Sequence, residues 1–267
     1  MPTLKELMVM QGRRVLVTGA SGWLGRTMAD TLAELGAELI MVDQPGSQIQ
    51  ETAGALAVTW GVATQGIVCD LEDGGQRADL MRALAEAGRP LHVLINNAAF
   101  VGTSGLAGWA VPFEQQGLEA WRRAMEVNLT AAFDLCHGLA PLMRESGRAS
   151  IVNIASIYGE YGPDWRLYEG TAMANPAAYA ASKGGLLQLT RWLATTLAPD
   201  IRVNAISPGG IARGQPEVFV ERYEARTPLA RMATEDDFRG AIAYLASGLS
   251  AYVTGQNLSV DGGWGVW

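Results

Sequence analysis

RRVLVTGASGWLGRTMADTLAELGAELIMVD, residues 13–43, decides the fold. RRVLVTG (13–19) is an apolar run of strand length that ends in a turn. WLGRTMADTLAEL (23–35) then places Leu24, Met28, Leu32 and Leu35 at helical spacing, and Gly36 is a natural stop. ELIMVD (38–43) is a second apolar run of strand length. Strand, helix, strand in about thirty residues predicts a crossover unit with two parallel strands.

The same alternation continues along the chain. GIVCDL (66–71), LHVLINN (91–97), SIVNIAS (150–156), IRVNAIS (201–207) and NLSVDG (257–262) read as further strands, with helical patterns between most of them. The runs are continuously apolar, as expected of strands buried on both faces. The expected fold is α/β: a Rossmann-type, doubly wound parallel sheet of about seven strands with helices on both faces, in one domain spanning 1–267. Residues 44–65, 100–112, 157–178 and 208–233 depart most from this pattern. Three of these four stretches follow a strand at its carboxyl end, where open α/β sheets bind ligands.

Composition narrows the function. The 267 residues are 49% apolar with a net charge of -7. Nucleic-acid binding needs a basic stripe that displaces counterions, and none is visible. Cys69 and Cys136 are too few for a disulfide framework and fit a reducing cytosol. His92 and His137 lie far apart, without metal-ligand spacing, so no metal is expected. Lys5 and Glu6 interrupt the apolar residues at the N-terminus, unlike a signal peptide. No apolar run reaches the roughly 20 residues of a membrane helix. A cytoplasmic location, with neither membrane nor nucleic acid as a partner, is the expectation.

TGASGWLG (18–25) joins the first strand to the first helix. Gly19 permits the tight turn, while Gly22 and Gly25 let the backbone approach a pyrophosphate at the helix N-terminus. Asp43 ends the second strand, where a carboxylate accepts hydrogen bonds from adenosine ribose hydroxyls. A 2′-phosphate there would be repelled by roughly 4 kcal/mol per unit charge at 4 Å in an effective dielectric of 20. No Arg or Lys in QPGSQIQ (44–50) offsets this, so NAD is the expected cofactor. The competing role for Asp43 is to begin the turn before Pro45. Asp70, at the end of the third strand, either meets the adenine amino group or starts a turn.

YAASK (179–183) puts Tyr179 and Lys183 on one helical face. A free tyrosine titrates near about 10, and a nearby ammonium favours the phenolate. Ser156 ends the fifth strand just upstream, as a hydroxyl for a reacting oxygen or as a cap. Asn128 is an amide among apolar neighbours in AWRRAMEVNLTAAF (120–133), suited to a site or to a buried bond with backbone.

These elements, with INNAA (95–99), SPGG (207–210) and TGQNLSVDGG (254–263), resemble in order and spacing a short-chain dehydrogenase/reductase of the compact branch, over nearly the whole chain. The resemblance implies an NAD-dependent oxidoreductase that passes hydride between a nicotinamide and a secondary alcohol or ketone. It implies Tyr179 as general acid/base and Ser156 as the group orienting the reacting oxygen. Lys183 would bind the nicotinamide ribose and depress the tyrosine pKa, and Asn128 would anchor a proton-relaying water. Asn96 and Ala98 would line the adenosine side, and Pro208, Gly209 and Ile211 the nicotinamide. The full set of implied cofactor contacts is Gly19, Ser21, Gly22, Trp23, Leu24, Gly25, Asp43, Asp70, Leu71, Asn97, Ala98, Ala99, Tyr179, Lys183, Pro208, Gly209, Ile211 and Arg213.

Three departures stand out. Glycines at 19, 22 and 25 are spaced as in the extended branch, with Trp23 where compact members commonly have glycine. Arg213 replaces the threonine often found after the PG turn, and would hold pyrophosphate or reach substrate. The interval from Ser156 to Tyr179 is long.

That interval, IYGEYGPDWRLYEGTAMANPAA (157–178), is rich in aromatic and charged residues. It suits a sugar, sugar derivative or polyol, or else packs on a neighbouring subunit. With 209–226 it is expected to form a mobile substrate pocket, too polar for core. There Trp165 would stack on a sugar ring, and Arg166 or Arg213 would grip an anionic group. The interval and 209–223 also resemble short-chain dehydrogenases associated with bacterial surface-glycan and flagellin sugar modification. Alternatives are a 3-oxoacyl thioester reductase and a non-catalytic dinucleotide sensor or scaffold. The resemblance implies a homo-oligomer, a tetramer of dihedral symmetry or a dimer. Trp264 and Trp267, at a chain end where a monomer would tend to expose them, agree with it.

Overall fold

A computed structural model describes residues 1–100 and 106–267; positions 101–105 of the irregular stretch 100–112 lie outside the described residues. Seven strands form one parallel sheet in the order β3-β2-β1-β4-β5-β6-β7. A short helix α1 (Leu4–Met8) precedes β1 (Arg14–Thr18), α2 (Trp23–Glu34) and β2 (Glu38–Asp43). Then come α3 (Ile49–Trp60), β3 (Thr64–Val68), α4 (Gly74–Glu86) and β4 (Val93–Asn96). α5 (Leu118–Met125) runs through one wide π turn, Glu126–Thr130, into α6 (Ala131–Arg144). β5 (Ala149–Ile154), α7 (Ala177–Leu197), β6 (Ile201–Pro208), α8 (Glu217–Arg226), α9 (Arg239–Ala246) and β7 (Asn257–Val260) complete the order.

The strands alternate between two cores, as the two-residue side-chain period requires. Val15, Val17, Leu39 and Met41 meet Met28, Leu32, Ile49 and Ile242 of α2, α3 and α9. Leu16, Ile40 and Val42 meet Leu80, Leu135, Leu139 and Leu193 of α4, α6 and α7. Helices therefore cover both faces. Two strands depart from the expectation of full burial: β3 and β7 are the sheet edges and are largely half-exposed. β3 also stops at Val68, so Asp70 lies in the turn beyond it rather than in the strand. The strand order reverses at β1 and β4, which opens a crevice beyond their carboxyl ends.

The segments 157–178 and 209–226 contradict the view that they are too polar for core. Ile157, Leu167, Tyr168, Phe219, Tyr223, Met232 and Trp264 form a third buried cluster, with the Tyr223 and Trp264 rings stacked at 6.1 Å. Trp264 is 1% exposed, so it is no exposed oligomer contact; Trp267 is 72% exposed, with Nε1 donating to the Arg226 carbonyl at 3.0 Å. Charges brace the cluster. Asp164 accepts from Arg166 at 2.8 Å on each oxygen and also from Arg226. The Arg226 guanidinium lies 4.3 Å over the Trp264 ring, and Arg222 donates to the carbonyls of Arg166 (3.1 Å) and Glu169 (2.6 Å). Thus 157–178 packs on α8 and the C-terminal residues of its own chain.

Both cysteines are buried free thiols, pushed up to about 11 for Cys69 and about 12 for Cys136, chiefly by burial. Among the described residues no helix is long and apolar enough to cross a membrane.

Candidate active site

The crevice is a cleft of about 1050 Å³. Gly19, Ser21, Gly22, Trp23, Leu24 and Gly25 form its floor at the β1–α2 turn. Gly19 has φ +62, and a Cβ there would stand 2.9 Å from Ala98 Cα. A Cβ on Gly25 would stand 2.1 Å from the Gly19 carbonyl oxygen, so no larger residue fits without moving the turn. α2 starts without a side-chain cap, leaving its first N–H groups for a ligand.

Asn97 ties β4 to this turn, its Nδ2 donating to the carbonyls of Thr18 (2.9 Å) and Gly19 (3.1 Å). Ala98 and Ala99 line the same wall. Asn96 is a correction: it points into the core and donates to Asn153 Oδ1 at 2.8 Å. Asn96 is the last residue of β4, whereas Asn97 lies beyond it with its N–H turned back onto the Ile95 carbonyl at 3.1 Å, which separates the two side chains.

Asp43 stands at the cleft, but its carboxylate is engaged. Oδ2 accepts from Ser21 N–H (2.8 Å) and Ser21 Oγ (2.5 Å), and Oδ1 accepts from Gln44 N–H (2.8 Å). Of roughly four acceptor sites on a carboxylate, one remains. Asp70 and Leu71 line the cleft, and Asp70 Oδ1 also starts a turn by accepting from Glu72 N–H at 2.9 Å.

The opposite end gathers Ser156, Tyr179 and Lys183 with Pro208, Gly209, Ile211 and Arg213. Lys183 is 2% exposed; its Nζ donates to the Ile154 carbonyl at 2.7 Å and lies 5.8 Å from the Tyr179 ring centroid. Burial pushes this ammonium down to about 8. Tyr179 goes the other way from the expectation. Burial of its hydroxyl end raises it above the ordinary phenol value, while the hydrogen-bonded Ser156 and the charge of Arg213 pull it down.

Asn128, 2% exposed, is held at both ends in the π turn. Its Oδ1 accepts from Phe100 N–H at 2.6 Å and its Nδ2 donates to Ser182 Oγ at 3.0 Å. It therefore makes the backbone bond foreseen as its simpler role, and it does so one residue from Lys183. Arg213 lies 5.7 Å over the Trp23 ring, with Nε donating to Glu235 at 3.1 Å. It thus bridges the two ends of the cleft.

Sequence reading missed Arg123, which also lines the cleft, and Tyr223, whose hydroxyl accepts from Gly210 N–H at 2.5 Å. A Cβ on Gly210 would meet the Tyr223 ring at 2.8 Å, so the glycine and the tyrosine fit each other. Gly210 was visible as a turn glycine, but nothing local pointed to its partner 13 residues on.

The glycine cradle, the uncapped helix and the polar far end fit a nicotinamide dinucleotide. A family described as enoyl-(acyl carrier protein) reductase matches residues 19–265. A cis-4-hydroxycyclohexanecarboxylate dehydrogenase of Sinomonas cyclohexanicum is 36% identical, over 94% of this chain and 96% of that protein. A galactitol 2-dehydrogenase (L-tagatose-forming) of Cereibacter sphaeroides is 33% identical, over 97% of each. The crystal structure of a gluconate 5-dehydrogenase from Burkholderia cenocepacia, in complex with NADP and tartrate, superposes with a TM-score of 0.84 at 28% identity, covering 99% of this chain and 100% of that one.

Proposed function

The chain belongs to the short-chain dehydrogenase/reductase family, and on that premise we propose that it oxidises a secondary alcohol of a polar, sugar-like or polyol substrate, or reduces the matching ketone. The observation that carries this reading is the meeting of Ser156, Tyr179 and Lys183 at one end of a glycine-floored cleft. The dinucleotide, when bound, supplies or accepts the hydride.

The turn residues 19–25 and the N-terminus of α2 would hold its pyrophosphate, with Arg213 adding charge. Asp43, Asp70, Leu71 and Asn97–Ala99 would hold the adenosine, and Pro208, Gly209 and Ile211 the nicotinamide. Ser156 donates to or accepts from the reacting oxygen and fixes it before the Tyr179 hydroxyl. Tyr179 as phenolate takes the alcohol proton during oxidation, and as phenol it gives the proton to the carbonyl oxygen during reduction. A phenol raised by burial is a reluctant base, so cations near it matter; Arg213 and the Lys183 ammonium are the available ones. Asn128 acts as a positioning residue, through Ser182, for the turn of α7 that carries Lys183.

The engaged but cleft-lining Asp43 supports NAD(H) over NADP(H), because a 2′-phosphate would meet its charge. Two buried free thiols fit a reducing cytosol. Exposed Trp121, Phe133 and Trp192 on α5–α7 support a homo-oligomer, a tetramer or dimer, built from one domain per chain. A second reading is reduction of the ketone of a 3-oxoacyl thioester; the matching family, described as enoyl-(acyl carrier protein) reductase, includes chemistry on acyl carriers. Following NADH and NADPH absorbance over polyols, sugars, hydroxy acids and acetoacetyl thioester separates the two. Turnover of the thioester alone would replace the alcohol reading.

A further inference from the structure

Next to Ser156 lies a set of enclosed polar groups that the chemistry above leaves unused. Tyr158 follows Ser156 by two residues, and its N–H donates to Ser156 Oγ at 3.2 Å. The Tyr158 hydroxyl is 2.5 Å from that of Tyr168. Asn175 precedes Pro176, the residue that opens α7, and so is anchored four residues before Tyr179. Its side chain is 6% exposed and reaches the hydroxyls of both Tyr158 and Tyr168, yet its Oδ1 has no partner. The group lies behind Ser156, which lines the cleft and which Tyr158 touches through its N–H. Phe219, Tyr223 and Trp264 wall it from the far side.

Packing alone does not account for this corner. Phe and Leu would fill it without polar atoms, whereas an unpartnered buried amide oxygen is destabilising. A buried polar atom left open beside reacting groups fits a ligand atom that completes it. Whichever way the amide is turned, one end lacks a partner. A hydroxyl serves either end, since it both donates and accepts. A carboxylate only accepts, and the nearby Arg226 is already occupied by Asp164 and Trp264. An acyl chain offers the corner nothing.

We propose that Asn175, with the Tyr158–Tyr168 hydroxyl pair, is a subsite for a further hydroxyl of the substrate, which makes polyhydric alcohols and sugars the substrate class. This rests on the alcohol oxidoreductase reading. The test uses the full-length enzyme with NAD⁺ or NADP⁺ and three probes: cyclohexanol, 1,2-cyclohexanediol and galactitol. The wild type is expected to favour the better polyhydric probe over cyclohexanol by tenfold or more in kcat/KM. Asn175→Ala and, with its ring kept, Tyr168→Phe should each reduce that margin by about tenfold, mainly through KM, with NADH affinity held. A margin that survives in both variants, or a uniform loss on all probes with a lowered Tm, assigns the group to packing and overturns the subsite. Equal use of cyclohexanol by the wild type overturns it too, while leaving the alcohol reading standing. Turnover of none of the three removes both.

Discussion

Tyr223→Phe is a one-atom perturbation of the nicotinamide end of the cleft. The ring keeps its place between Phe219 and Trp264, stacked at 6.0 Å and 6.1 Å, so packing is conserved. What goes is the oxygen that accepts from Gly210 N–H at 2.5 Å. No water-sized rearrangement is free here, because Gly210 also accepts from Ala233 N–H at 2.9 Å and Gly209 donates to Val260 at 3.0 Å. An unpartnered buried N–H costs about 1–3 kcal/mol. For a chain of this size each kcal/mol is roughly 2–4 °C in Tm, so a fall of about 2–12 °C is expected if the loop stays in place. If the loop relaxes instead, part of that energy leaves the cofactor site. About 1 kcal/mol there weakens NADH binding roughly fivefold. Thermal melting and NADH fluorescence titration of the same preparations measure the two parts. A variant that melts and binds as wild type would show that the phenol does not hold the loop, and the coupling between α8 and the nicotinamide end would be wrong.

Tyr179→Phe should lower kcat by about 10²–10⁴-fold with NADH affinity within a few-fold, and retained turnover would remove its acid/base role. NAD(H) should exceed NADP(H) in kcat/KM, and Asp43→Ala should narrow the gap; equal use of both cofactors by the wild type would mean that Asp43, held by Ser21, does not meet the 2′ position. Lys183 titrates at about 8 folded against about 10.5 free, so it is destabilising while charged in both states, below pH 8. Between those values the unfolded chain holds the extra proton, and stability rises with pH. The stability advantage of Lys183→Met in urea unfolding should therefore shrink by about 2 kcal/mol from pH 7.5 to 9.5. A constant advantage would indicate that the amine is not desolvated.

The parallel sheet was legible because each strand is a local apolar run and each crossover carries its own helical period. Only the edges misled. Whether β3 and β7 are covered depends on neighbours, not on their own residues. Gly19, Gly25, Ser156, Tyr179 and Lys183 were legible because chain order and spacing bring them to one cleft. Asn96 against Asn97 depends on the residue at which β4 ends, a boundary that the run LHVLINN does not mark. The interval 157–178 was hardest. Its burial comes from Phe219, Tyr223 and Trp264, roughly fifty to a hundred residues away; Asp164 is paired with Arg166 and Arg226, and Arg222 holds the backbone carbonyls of Arg166 and Glu169. Local polarity gave no sign of those partners. For the same reason Tyr223 carried no signal: a tyrosine on an amphipathic helix looks alike whether it packs or props a loop.

The two cysteines have a practical side. With Cys69 at about 11 and Cys136 at about 12, no more than about one thiol in ten thousand is ionised at neutral pH, and both are enclosed. Maleimide dyes, which react with thiolates, should leave the native protein unmarked. A cysteine introduced at Trp165, whose side chain is 55% exposed, would then be the one reactive handle on the chain. A fluorophore there sits on the segment joining Ser156 to Tyr179 and would report ligand arrival in real time, without either natural cysteine having to be removed first.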